Sequence, residues 1–186
     1  MKRKLVFAMC IASTLHFAAK ANNVLVENVG LTNQDVSAGT NNSANFTHIS
    51  FDISWENSWR TDVGPANWDA VWVFAKIQPF GQNYKHATLS TNAAHHKINT
   101  PNGVSYTITP SADGKGVFMY RSANSAPGPI NWDGVELRWN YPTDGVLDTT
   151  SVTVQVFAIE MVYIPEGSFY IGDGNIGSYG SDYSFR

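Results

Sequence analysis

The stretch ISFDISW, residues 49–55, decides the fold class of this chain of 186 residues. Serine or aspartate alternates there with four apolar side chains, which are Ile49, Phe51, Ile53 and Trp55. Successive side chains of an extended strand point to opposite faces. The alternation therefore predicts a strand with one face in a core and the other in water.

Similar alternation recurs along the chain, and no segment after residue 21 keeps a helical period for three turns. Eight strands are predicted, at residues 24–29, 49–55, 70–77, 84–89, 104–109, 116–121, 135–139 and 152–158. Turn-rich stretches separate them, and only a short helix is compatible with residues 92–97. The sequence predicts an all-β fold, a mainly antiparallel β-sandwich of the jelly-roll or immunoglobulin-like kind.

Residues 70–77 differ from the other predicted strands because both of their faces are apolar. Trp72 and Phe74 share one face, and Val71 and Val73 share the other. A strand that is apolar on both faces is typical of the middle of a sheet with covering layers on each side. We therefore expect a central strand that is covered twice.

The first 21 residues have the features of a signal peptide. A basic start at residues 2–4 precedes an apolar run at residues 5–18, and the small residues Ala19 and Ala21 suit a signal peptidase. Cys10 lies inside the apolar run, whereas the cysteine of a lipid anchor follows such a run. We expect cleavage after Ala21 and export to the periplasm, the cell surface or the medium, with no membrane anchor left.

Loss of this segment changes both the charge and the cysteine count. The full sequence has 12 basic and 15 acidic residues, a formal charge of −3, and one cysteine, Cys10. Residues 22–186 keep eight of the basic residues and all 15 acidic ones, so their formal charge is −7. An acidic chain lacks the basic surface that nucleic acid requires. A chain without cysteine has no disulfide, thiol nucleophile or thiolate metal site.

The octet GPANWDAV, residues 64–71, returns as GPINWDGV, residues 128–135. One interpretation is structural: Gly-Pro, Asn and Asp close a turn before a strand, and the tryptophan plugs one end of the sandwich. The other interpretation is a glycan-binding site. If the two strands run in the same direction, Trp68 and Trp132 lie at the same end and offer indole faces to sugar rings. The flanking polar residues of this predicted site are Asn67, Asp69, Asn131 and Asp133.

No recognised catalytic motif occurs, so no catalytic residue and no cofactor are expected. The one carboxylate pair that the repeat could bring together, for hydrolysis of a glycosidic bond, is Asp69 with Asp133. In FDISWENSWR, residues 51–60, Arg60 is expected to lie on an indole face or to pair with Glu56.

Metal ligation is not expected either. His86, His95 and His96 are interpreted as surface residues, because adjacent histidines of an extended chain point in opposite directions and no third ligand has a recognisable spacing. Residues 144–148, DGVLD, lack the alternating oxygen ligands of a calcium loop and are interpreted as a hairpin turn.

MVYIPEGSFYIGDG, residues 161–174, resembles the opening of the formylglycine-generating, sulfatase-modifying-factor family, which often begins Met-Val-x-Ile-Pro-x-Gly-x-Phe-x-Met-Gly. The matching residues are Met161, Val162, Ile164, Pro165, Gly167, Phe169 and Gly172, with Ile171 where methionine is usual. The region before this stretch is similar to the β-rich segment that precedes such domains in some exported bacterial proteins.

The sequence features predict a signal peptide at 1–21 and a β-sandwich domain at 22–160, and the resemblance implies that residues 161–186 are the truncated start of a sulfatase-modifying-factor-like domain. Family members that oxidise a substrate cysteine use a copper-binding cysteine pair far downstream, so no catalytic or metal residue is carried over. The expected function is an exported, non-catalytic accessory or surface-binding module of a sulfatase-modifying-factor-like protein, and the repeated octet adds the expectation that its tryptophan-bearing loops bind a polysaccharide or other glycan. The alternatives are a structural or assembly domain without a small ligand, and the N-terminal part of an enzyme whose active site lies outside this chain.

Overall fold

The computed structural model describes residues 22–64 and 66–163, and this part of the chain contains nine β-strands. They are β1 (Leu25–Asp35), β2 (Phe46–Thr61), β3 (Asn67–Pro79), β4 (Lys85–His86), β5 (His96–Thr100), β6 (Tyr106–Pro110), β7 (Val117–Arg121), β8 (Ser125–Trp139) and β9 (Val152–Tyr163). Helical structure in the described residues is confined to two 3₁₀ turns, Ala93–His95 and Tyr141–Asp144, and none of it is long and apolar enough to cross a membrane. All strand pairs described are antiparallel, which confirms the predicted all-β, mainly antiparallel fold.

The strands form one curled sheet in the order β5-β8-β2-β3-β7-β6, with β1 beside β2, and β4 and β9 beside β3. One edge of β2 pairs with β8 from Thr47 to Arg60. Its other edge pairs with β1 as far as Ser54 and then with β3 at Arg60 and Thr61. Because this edge of β2 pairs first with β1 and then with β3, the sheet divides into two halves that enclose one core.

Side chains from both halves fill this core. Residues 49–55 alternate as predicted: Ile49, Phe51, Ile53 and Trp55 are at most 1% exposed, and the serines and aspartate between them are half-exposed. Other large and fully buried side chains are Val71, Ile77, Leu89, Met119, Ile130, Trp132, Leu137 and Trp139. Burial of each large apolar side chain contributes about 1.5–3 kcal/mol, so this core stabilises the described residues, which contain no cysteine.

Several strand boundaries differ from those predicted. β5 was not predicted, and β8 begins ten residues before position 135. β9 continues to Tyr163, three residues beyond the expected domain boundary at position 160. The short helix expected near residues 92–97 corresponds to the 3₁₀ turn at Ala93–His95. The predicted signal peptide and residues 164–186 of the predicted second domain lie outside the described residues.

β3 is a central strand, as predicted, but it is not covered on both faces. Its inward side chains, such as Val71 and Val73, are buried, whereas the outward Trp72 and Phe74 remain half-exposed. These two rings pack against aromatic side chains of the neighbouring strands. Trp72 contacts Phe118 at a ring distance of 4.6 Å, and the Phe74 ring stacks on the Phe157 ring of β9 at 5.1 Å. The outer side of β9, β3 and β7 is therefore an aromatic surface open to solvent, which we call the outer face.

Candidate functional site

The Asn-Trp-Asp segments of the two octets, residues 67–69 and 131–133, lie on β3 and β8, which run in the same direction because each is antiparallel to β2. Their side chains nevertheless point to opposite sides. In the first octet Trp68 lies half-exposed on the outer face and Asp69 is fully buried; in the second, Trp132 is fully buried and Asp133 is exposed. The tryptophan is exposed and the aspartate buried in the first octet, and the reverse holds in the second.

A β-bulge in the second octet causes this inversion. Phe51 pairs with Val135 and Ile53 pairs with Trp132, so two steps along β2 correspond to three steps along β8. Gly134 forms the bulge with a φ of +64°, a conformation that glycine adopts without the steric cost of a side chain. The first octet has Ala70 at this position and continues the regular pleat. An alanine-to-glycine difference therefore decides which face the tryptophan takes.

The predicted site shared by Trp68 and Trp132 is wrong. Trp132 is 0% exposed, its ring packs edge-on against Trp55 at 5.1 Å, and its indole N–H donates to the Val104 carbonyl at 3.3 Å. It is a core residue rather than a ligand-binding side chain or an end plug. Along β2, Trp132 pairs with Ile53 and Trp68 pairs with Arg60, which places the two tryptophans roughly 20 Å apart.

Asp69 is a buried structural acceptor and not a site residue. Its carboxylate accepts hydrogen bonds from the Trp55 indole N–H at 2.6 Å, the Ser58 hydroxyl at 2.8 Å and the Trp59 backbone N–H at 3.0 Å. The Nε–H of Arg121 donates to the Ser58 hydroxyl at 3.0 Å. Burial lowers the pKa of Arg121, and the negative charge of Asp69 opposes this shift. Since Asp69 and Asp133 lie on opposite faces, they form no glycosidase pair.

The remaining predicted residues also have structural partners. The side-chain oxygen of Asn67 accepts a hydrogen bond from the Trp59 indole N–H at 2.7 Å. Asn131 and Asp133 are exposed on β8, where the Asn102 side chain donates to the Asn131 carbonyl at 2.8 Å and to the Asp133 carboxylate at 3.0 Å. These bonds fasten the loop between β5 and β6. Of the six predicted residues, Trp68 lines an aromatic cavity on the outer face.

This cavity, the Trp68 cleft, is an aromatic groove of about 350 Å³ on the outer face. It is lined by Trp68, Ala70, Thr109, Phe118, Tyr120, Met161, Val162 and Tyr163. Ala70 interrupts the row of large outward side chains on β3, and it pairs with Met161 of β9. The small methyl group leaves the groove between the rings of the flanking strands. None of the lining residues carries a formal charge.

Neighbouring groups hold the Trp68 ring in one orientation. Tyr163 stacks on it at a centroid distance of 4.1 Å and an interplanar angle of 12°, and Tyr120 lies 6.2 Å away. The Arg60 guanidinium is 4.5 Å from the centre of the Trp68 ring and forms an ion pair with Asp62 at 3.0 Å. Arg60 therefore lies on an indole face, as one of the two sequence predictions has it, and its carboxylate partner is Asp62 rather than Glu56.

Sequence reasoning found Trp68 but missed its neighbours. Tyr120 and Tyr163 come from β7 and β9, and their proximity to Trp68 depends on strand order and register. The available signal was local: aromatic residues recur at outward positions of three predicted strands.

Within the described residues, no group of three or more histidine, cysteine or acidic side chains could hold a metal ion. The interpretation of all three histidines as surface residues is wrong for His96, which is 6% exposed. Its Nε2–H donates to the Ser90 carbonyl at 2.8 Å, and its Nδ1 accepts from the Arg138 backbone N–H at 3.2 Å. These bonds use both ring nitrogens of the neutral imidazole.

The stability of the protein is expected to decrease between pH 7 and pH 5 partly because of His96. Burial lowers the pKa of His96 below its ordinary value, although the bond to the Ser90 carbonyl opposes the shift. The unfolded chain therefore binds the proton more readily, so the His96 contribution is complete above a pH of about 6.5 and is lost as the pH falls. Thermal midpoints measured across this range should fall less steeply in His96→Gln than in the parent. His86→Gln, on the outer face, is the control, and equal slopes in all three proteins would contradict the assignment.

The predicted hairpin turn at residues 144–148 is also wrong, because the flanking strands β8 and β9 pair with different partners. A second cavity of about 290 Å³ adjoins this segment and β1. Asp148, in its lining, accepts hydrogen bonds from the Tyr141 hydroxyl at 2.7 Å, the Asn45 side chain at 3.0 Å and the Asn41 backbone N–H at 2.6 Å. The Asp148 carboxylate therefore holds the loop between β1 and β2 in place.

Comparison with known proteins gives no relative: no family model, no curated protein and no solved structure matches the chain.

Proposed function

We propose that this chain is an exported, non-catalytic binding module of a sulfatase-modifying-factor-like protein, and that it binds polysaccharide through the Trp68 cleft and the outer face. The features of residues 1–21 support export, and the stretch at residues 161–174 supports the relationship. The observation that carries the binding proposal is the open cleft on the outer face, with Trp68, Tyr120 and Tyr163 in its lining.

The chemistry of the cleft favours uncharged sugar polymers. Aromatic side chains contact the C–H groups of sugar rings, and concave apolar sites with a few polar groups are typical of ligand binding. Polar groups at the cleft rim include the hydroxyls of Thr109 and Tyr120, which lie 3.2 Å apart. The nearby Arg60 is already neutralised by Asp62.

Preorganisation strengthens this proposal. The Trp68 ring is stacked against Tyr163 and held by Arg60 before any ligand binds. A site whose side chains are already ordered loses less conformational entropy on binding. The chain would therefore contribute a rigid aromatic surface, and any chemistry would belong to another domain.

Ala70→Phe is expected to abolish binding by filling the Trp68 cleft. Ala70 lies on the outer face between the rings of β7 and β9, so a phenyl group there occupies the space that a sugar ring needs. The measurement is the fraction of protein retained on microcrystalline cellulose, chitin and granular starch. We expect the parent to bind at least one polymer and Ala70→Phe to bind about tenfold less, a loss of roughly 1.4 kcal/mol.

Gln155→Ala is the matched control, because Gln155 is exposed on β9 outside the cleft. It should bind like the parent, and both variants should retain the parent's circular dichroism spectrum. A parent that none of the polymers retains would refute the proposal. Equal retention of Ala70→Phe and the parent would refute the cleft as the site.

A further inference from the structure

The second cavity, of about 290 Å³, lies where the two halves of the sheet face each other without pairing. Within the described residues, β1 pairs with β2 and β9 pairs with β3, so β1 and β9 are close but not hydrogen-bonded as a strand pair. The Asn22 side chain, just before β1, donates to Glu160 of β9 at one end of this gap. Residues 31–34 of β1 and Val152 of β9 line the cavity at the other end. Small ligands often bind in the mouth of a curled β-sheet, which makes this cavity a candidate site.

The lining of the second cavity combines core side chains with a single charge. Trp139, Tyr141 and Val146 line it and are at most 5% exposed, and the two aromatic rings pack edge to face at 5.8 Å. Among the described residues of the lining, Asp148 alone carries a formal charge. The charge of the lining therefore opposes an anionic ligand and attracts a cationic one.

The Asp148 carboxylate has hydrogen-bond donors but no cationic partner in the described part of the chain. The hydrogen bonds from the Tyr141 hydroxyl and the Asn41 backbone lower the pKa of Asp148, so the carboxylate is ionised at neutral pH. Neither of the two ion pairs found among the described residues includes Asp148. A negative charge thus lies in the lining of a cavity without a neutralising group.

Unused acceptors beside the cavity indicate a ligand that donates hydrogen bonds. An ionised carboxylate can accept about four. Oδ1 of Asp148 accepts from Tyr141 and Asn45, and Oδ2 accepts from Asn41, so one acceptor position of Oδ2 is unused within the described residues. Asn45 is 1% exposed, and its side-chain oxygen also has no partner there. A buried acceptor without a donor is destabilising, and a ligand N–H can supply the donor.

We propose that the second cavity binds a small primary amine in its ammonium form, which donates to Asp148 while its apolar part contacts Trp139 and Tyr141. An ammonium group supplies both a positive charge and three donors, and aromatic rings attract cations. The volume has room for about ten water molecules, which limits the ligand to a small molecule. Calcium fits poorly, because it needs six to eight oxygen ligands and three donor hydrogens already point at this carboxylate.

Titration of the purified chain with cyclohexylamine at pH 7, followed by the chemical shifts of backbone amides, tests this proposal. Cyclohexanol, which has a similar shape but no charge, is the control ligand. We expect cyclohexylamine to shift the signals of Gln34, Leu147 and Asp148 and to bind at least about tenfold more tightly than cyclohexanol. The Trp68 cleft shares no lining residue with this cavity, so its signals should not shift. Absence of shifts, equal affinities, shifts confined to the Trp68 cleft, or the same shifts with calcium chloride would overturn the proposal.

Asp148→Asn tests the charge while keeping the size of the side chain. It should weaken cyclohexylamine binding by about tenfold or more and leave cyclohexanol binding unchanged. Glu27→Gln is the matched control, because it removes the same charge from an exposed position of β1 outside the lining, and it should bind like the parent. A folded Asp148→Asn that binds the amine as tightly as the parent would overturn the proposal. If this variant does not fold, the comparison of amine with alcohol in the parent decides the outcome.

Discussion

Asp69→Ala is expected to lower the free energy of unfolding by about 3–5 kcal/mol, because it removes a buried charge from a hydrogen-bonded network. The carboxylate accepts bonds from Trp55, Ser58 and Trp59 in the core. Without it these buried donors lose their acceptor, and Arg121 loses a nearby negative charge. Urea denaturation of purified residues 22–186, followed by tryptophan fluorescence, measures the change.

The repeat supplies a matched control for this prediction. Asp133→Ala replaces the corresponding carboxylate of the second octet, which is exposed and bonded to the Asn102 side chain. We expect a change within about 0.5 kcal/mol, as for most surface substitutions. If the two substitutions had similar effects, the inverted orientation of the octets would be wrong.

The second large effect is expected from Trp132→Ala, a loss of about 3–5 kcal/mol in the free energy of unfolding. Trp132 is fully buried against Trp55, and its removal leaves a cavity in the middle of the core. Trp68→Ala removes stacking on the outer face and should cost about 1 kcal/mol. The same urea denaturation experiment compares them.

These two variants also separate stability from binding. Trp68→Ala should remain folded and lose retention on polysaccharide, since its ring lines the cleft. For Trp132→Ala, binding per folded molecule should be unchanged at a temperature where the variant is still folded. If a folded Trp132→Ala lost binding and Trp68→Ala did not, the ligand would not bind at the outer face.

The alternation of apolar residues was sufficient to predict the fold class and the core face of β2. It failed where glycine, asparagine or proline interrupts the pleat. Asn28 and Asn33 bulge β1, so the periodic pattern ends well before Asp35, where the strand ends. Pro127 and Pro129 concealed the first part of β8, which pairs with β2 there, while β5 pairs only further along, from Asp133 onward.

The candidate site was less predictable, since a local pattern does not determine which strands are neighbours. The octets look equivalent by composition, but Ala70 and Gly134 permit different backbone conformations. That difference was visible in the sequence and could have indicated a bulge. The stacking of Tyr163 on Trp68 could not have been found in this way, because it depends on the pairing of β9 with β3.

The long strand β2 has a consequence for how this molecule reaches its native state. Its pairing with β8 joins Thr47 to Trp139 and Arg60 to Ser125, so these contacts span roughly 65 to 92 residues of chain. Bringing such distant segments together lowers the conformational entropy of the chain before any contact between them can stabilise it. Proteins dominated by contacts between distant segments therefore fold in milliseconds to seconds. Synthesis must proceed well beyond the midpoint of the polypeptide before β2 meets this partner, so the nascent chain carries β2 without β8 for most of its synthesis.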